Sequence, residues 1–127
     1  MLTARVKVGR RSSARWILVY CGEVVDLLIL EVLSDGPNYG YEISQIVTGR
    51  SRGYFELKEG SFYPALHRLE RQKVLAGFWQ AADSGRRRKY YRLTPAGRRM
   101  LEAKRAEWSK FSTGVQGVLG LSFAATT

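Results

Sequence analysis

At 127 residues the chain has room for one domain and an appended helix, and 45% apolar residues argue against wholesale disorder. Twenty-one Lys and Arg against eleven Asp and Glu leave a formal net charge of +10, a field that selects polyanions such as nucleic acid or an anionic membrane surface. A single cysteine, Cys21, excludes an intrachain disulfide framework, and with one histidine, His67, it leaves no Cys/His set for structural zinc.

Residues 1–22 form a basic N-terminal arm. Arg5, Lys7, Arg10, Arg11 and Arg15 precede the first acid, Glu23, and such a segment is either a mobile arm or plain disorder. The apolar run Trp16 to Cys21 falls well short of the ~20 residues a membrane span needs. No small-residue cleavage site accompanies it, so the expectation is a cytoplasmic protein with no membrane association. A helix is predicted from Glu23 to Leu33. Its VVDLLILEVL core is too apolar for one-sided burial, which calls for core on one side and a partner chain on the other, with Leu27 and Leu28 at that interface.

Ser34-Asp35-Gly36-Pro37-Asn38 is strong turn chemistry. Tyr39 to Thr48 reads as a short second helix with Ile43, Ile46 and Val47 inward, and Phe55 to Lys58 alternates as a short strand would. A third helix is predicted from about Gly60 to Lys73. Phe62, Leu66 and Leu69 mark its inner face, Ser61 its N-cap, and Pro64 lies in its first turn. Val74 to Ala82 and Lys89 to Leu93 then read as strands, joined through Asp83-Ser84-Gly85 and the cations Arg86, Arg87, Arg88 and Lys89 into a hairpin with a basic tip. Thr94-Pro95 starts a long helix that reaches about Leu119, and residues 121–127 carry no signal.

The expected fold class is mainly α with a small antiparallel β-hairpin. A winged helix-turn-helix domain occupies residues 23–94 and a C-terminal dimerisation helix residues 95–120. Two helices across a tight turn place the second in a DNA major groove, and a cationic hairpin reaches the flanking phosphates. On the third helix Ser61, Tyr63, Pro64, His67, Arg68 and Arg71 lie opposite the apolar stripe. Hydroxyls and free N–H groups near its N-terminus suit phosphate, and His67 and Arg68 suit base edges. Each feature alone also fits a solvated surface, whereas their combination on a chain of net charge +10 points to double-stranded DNA. A winged-helix protein–protein interaction module is the alternative, and it leaves the cationic hairpin unexplained. His67 has no nucleophile or acid positioned beside it, and neither a nucleophile elbow nor a glycine-rich phosphate loop occurs. The chain is therefore expected not to be an enzyme and to need no cofactor or metal.

In the last helix Leu101, Trp108, Phe111, Val115 and Val118 form a seam with Lys104 in one polar slot. A helix of about 25 residues spans nearly 40 Å, longer than the winged domain covers, so a homodimer is expected.

The strings EGSFYPALHRLERQKVLAGFW and SGRRRKYYRLTPAGRRML, with DGPNYGYEI upstream, closely resemble the PadR family of bacterial transcriptional regulators over roughly Val24 to Leu101. The resemblance implies a homodimeric winged-helix regulator, usually a repressor, reading a roughly palindromic operator and joined through its C-terminal helix. The family's DNA-facing positions fall on Ser61, Tyr63 and Pro64 and on Arg86, Arg87, Arg88 and Lys89. Tyr90, Tyr91 and Leu93 match the returning wing strand. Trp108 serves either plain interface packing, the reading preferred, or a pocket between protomers for a small aromatic or hydrophobic effector, as in some relatives. Gln72-Lys73 replaces the family's frequent acid and Gly, and about twenty residues precede its usual start. The single long last helix resembles the branch with a short C-terminal region.

Overall fold

The computed structural model describes residues 6–8 and 15–121. The rest of the basic arm, the tail beyond Leu121, and the side chains of residues 6–8, of residues 15–21 and of Ser61 lie outside the described residues. Helix α1 runs Arg15–Leu33, so the boundary expected at residue 22 falls inside a helix. The reason is local: Trp16 to Cys21 contains no breaker, and Gly22 alone costs about 1 kcal/mol, too little to end a helix. Ahead of it, β1 (Val6–Val8) pairs antiparallel with β3 (Phe55–Leu57), which gives part of the arm a place in the fold.

Val25, Ile29, Leu30, Val32 and Leu33 of α1 are buried in the core, and Leu27 and Leu28 are partly buried against the same core. Ser34 Oγ donates to the Glu31 carbonyl at 2.6 Å, and Gly36 takes φ 141°, ending α1 where the turn chemistry was expected. Strand β2 (Asn38–Tyr39) and helix α2 (Gly40–Arg50) follow, the latter burying Ile43 and Val47. Helix α3 spans Glu59–Arg71 with Lys58 as its N-cap residue. Ser61 is therefore inside the helix, not its cap, and Pro64 lies beyond the first turn, where its ring removes one ladder hydrogen bond on an exposed face.

Strands β4 (Leu75–Ala81) and β5 (Arg87–Leu93) form the hairpin, in register from Leu75↔Leu93 to Ala81↔Arg87. β2 adds on the far side of β5, with Asn38 opposite Tyr91, to give sheet order β2-β5-β4. Helix α4 (Pro95–Leu119) starts at the expected Thr94, whose Oγ1 accepts from the Gly97 N–H at 3.0 Å and donates to the Lys73 carbonyl at 2.8 Å. Gly97 is buried against that connection: a Cβ there would lie 2.2 Å from the Val74 carbonyl oxygen. Gly120, at φ 77°, caps the helix. The core gathers α1, α2, α3 and the inner ends of β4 and β5 around Phe62, Leu66, Leu69, Leu75, Tyr91 and Leu93, with Leu101 of α4 closing it. Helix, short helix, helix, two-stranded wing and a long last helix make the expected winged helix-turn-helix plan.

Candidate nucleic-acid interface

The hydrophobic stripe of α3 settles which way the helix faces. Phe62, Leu66 and Leu69 are fully buried, while Pro64, His67 and Arg71 are exposed. Tyr63 stands between these two faces. Its ring meets Phe62 edge-on at 5.4 Å and lies against the start of α2, where a Cβ on Gly40 would come within 2.7 Å of it. Gly40 thus lets α2 and α3 approach through the tyrosine. Burial raises the Tyr63 phenol pKa, Glu59 raises it further, and Arg88 opposes both.

Where β2 gives way to α2, a cleft of about 210 Å³ opens beside β5, lined by Tyr39, Gly40, Tyr41, Tyr63, Arg88, Lys89 and Tyr91. The Arg88 guanidinium sits 4.6 Å from the Tyr39 ring centre, and its buried Nε has no hydrogen-bond partner among the described residues. Four phenols and the Arg88 guanidinium, with no carboxylate in the lining, suit an anion. Tyr91 is buried, and its phenol is pushed up to about 12 by burial, then by Glu70 and Tyr63.

The four cations do not share the hairpin tip. The turn is residues 82–86, closed by Gly85 at φ 89° and by the Ala82 N–H donating to the Arg86 carbonyl at 2.8 Å. Arg87, Arg88 and Lys89 therefore lie on β5, where strand alternation separates them. Arg86 and Arg87 are exposed. Lys89 donates to Glu70 of α3 at 2.8 Å, an ion pair that fastens the wing to α3 and leaves this cation less available than expected.

Arg68 is the larger correction. Instead of facing outward as a base reader, it makes two parallel hydrogen bonds, at 3.0 and 2.9 Å, to the carboxylate of Asp26 on α1. The Asp26 hydrogen bond raises the Arg68 pKa, with burial opposing. Asp26 is only 7% exposed. The missed signal was an acid inside VVDLLILEVL, because a buried carboxylate requires a partner. Trp79 was also missed: it stands 59% exposed on β4 with the Arg87 guanidinium 5.9 Å over its ring.

The seam of α4 divides into two. Leu101, 5% exposed, belongs to its own domain's core, not to an interface with a partner, because the first turns of α4 pack on α1. Lys104 donates to Glu23 at 2.6 Å and Arg105 to Glu31 at 2.8 Å, which fastens that stretch. Beyond it Trp108, Phe111, Val115 and Val118 are all exposed, with the rings of Trp108 and Phe111 5.5 Å apart. No described helix is long and apolar enough to cross a membrane.

The sequence profile of the transcriptional regulator PadR-like family matches residues 29–103. A transcriptional regulator of Mycobacterium tuberculosis is 36% identical over 93 residues, 73% of this chain and 83% of that protein. The crystal structure of a PadR-like transcriptional regulator from Bacillus cereus is 33% identical, with a TM-score of 0.70 over 80% of this chain and 96% of that one. A PadR family transcription regulator from Clostridium difficile is 40% identical, with a TM-score of 0.62 over 75% and 96% of the two chains. With more than half its length matched by the family profile, this chain belongs to the PadR-like family of transcriptional regulators.

Proposed function

We propose that the protein binds double-stranded DNA sequence-specifically, as a homodimer, and acts as a repressor released by a small-molecule effector. The observation that carries the reading is the tyrosine- and arginine-lined cleft between α2, α3 and the wing, with Arg86 and Arg87 exposed at the outer end of the same hairpin. Around it a duplex would meet Ser61, Tyr63, Pro64 and His67 at α3, with phosphates near Tyr41 and Arg88. Arg68 and Lys89 act behind this surface, holding α3 to α1 and the wing to α3. The exposed row Trp108, Phe111, Val115 and Val118 supports the dimer, since a second copy of α4 would cover apolar side chains that its own domain leaves in water. A small aromatic or hydrophobic effector would enter between the Trp108 and Phe111 rings of the two copies.

Selection from a pool of random duplexes, followed by sequencing, tests the reading. The expected product is a roughly palindromic site with half-sites one helical turn, or a multiple of it, apart. Changing Arg86, Arg87 and Arg88 together to Ala should flatten the dependence of log affinity on log salt by about 0.9 for each phosphate that is no longer neutralised. A chain that enriches no duplex and binds none at low salt would sink the proposal in favour of a protein-interaction module.

A further inference from the structure

We infer that Trp79 and Arg87 together grip the sugar–phosphate backbone of duplex DNA, the indole against a deoxyribose and the guanidinium on the adjoining phosphate. This rests on the DNA-binding reading above and adds a residue that reading does not use.

Strand parity places Trp79 on the same face of β4 as Leu75 and Gly77, and opposite it on β5 lie Leu93, Tyr91, Lys89 and Arg87. At the inner end this face is core: Leu75, Tyr91 and Leu93 are buried. Midway it meets α3, where a Cβ on Gly77 would touch Glu70 and Lys89. Trp79 lies about 13 Å beyond Leu75 along the strand, and there the cover ends. The indole remains 59% exposed, so it contributes little to folding, and it lies on the side of the wing turned toward α3.

The charge around the ring selects what covers it. The hairpin carries Arg86, Arg87, Arg88, Lys89 and Arg92 against one acid, Asp83, and Arg87 is stacked 5.9 Å over the indole. A cation held on one ring face keeps in-plane N–H donors for a phosphate while the other face stays free for an apolar contact. In a duplex the bases are stacked on one another, so the apolar surface within reach of a backbone-bound indole is the sugar. The two halves of the contact differ in their physics. The phosphate half releases counterions and depends on salt; the sugar half does not.

The test labels the full chain with 5-fluorotryptophan, which gives one fluorine signal each for Trp16, Trp79 and Trp108. Trp79→Phe assigns the middle one. Titration with a random-sequence 30-base-pair duplex at low salt should shift the Trp79 signal, and 1 M salt should return it. Trp79→Ala should weaken duplex affinity about tenfold with the salt slope unchanged, and Trp79→Phe should keep most of the affinity. Arg87→Ala should flatten the slope by about 0.9. A duplex that binds while the Trp79 signal stays fixed overturns this inference and leaves the DNA reading standing; absence of any binding removes both. Should Trp79→Ala fail to fold, the titration of the unsubstituted chain still decides.

Discussion

Replacing Arg68 by Ala should cost stability, not recognition. Asp26 has a side chain only 10% exposed, and Arg68, 42 positions away, donates two hydrogen bonds to it. Truncating the arginine strands a buried carboxylate. Breaking a deeply buried pair typically costs 3–5 kcal/mol, but the Arg68 side chain is 37% exposed, so water reaches the carboxylate and a loss of about 2 kcal/mol is the better figure. For a chain of this size that corresponds to a drop of roughly 6 to 8 °C in Tm. Urea titrations at one fixed protein concentration measure it, since the stability of a chain that self-associates varies with concentration. The double variant Asp26→Leu with Arg68→Met should recover most of the loss, because an apolar pair removes the need for charge compensation. If Arg68→Ala instead leaves the urea midpoint unchanged and reduces affinity for the selected duplex, Arg68 is a base reader and the Asp26 pair is incidental.

Gly97→Ala should destabilise by about 3 kcal/mol or more even though alanine is the better helix former by about 1 kcal/mol, because the new methyl would meet the Val74 carbonyl at 2.2 Å; an unchanged thermal midpoint would refute the packing described for the start of α4. Tyr91 gives an alkaline signature. Its folded pKa of about 12 lies above the ordinary 10, so its contribution is fully present below pH 10 and is lost as the pH rises toward 12, by about 2–3 kcal/mol in all. Urea midpoints at pH 9, 10 and 11 should fall for the parent chain and fall less for Tyr91→Phe. Leu101→Ala should cost about 2–4 kcal/mol in denaturation, whereas Trp108→Asp should act on self-association, measured by light scattering against concentration. Light scattering that is unchanged by Trp108→Asp would remove α4 from the proposed dimer.

The features legible in the sequence were those set by neighbours a few residues apart. Thr94-Pro95 start α4 because a hydroxyl reaches the N–H three residues on and proline has no N–H to lose at the first helical position. The Phe62, Leu66, Leu69 stripe, the Ser34 to Asn38 turn and the hairpin follow from equally short-range periodicities and turn chemistry. What the tertiary structure decided was the use of each long polar side chain and each ambiguous apolar one. Nothing near Arg68 in the chain shows that it faces Asp26, and nothing near Lys89 that it faces Glu70. Leu101 and Trp108 are one seam by spacing, yet the first is buried in the core and the second stands 46% exposed. Local spacing fixes the face of a helix on which a side chain sits; a carboxylate or core brought from far along the chain determines whether that side chain is buried, paired or left free to bind.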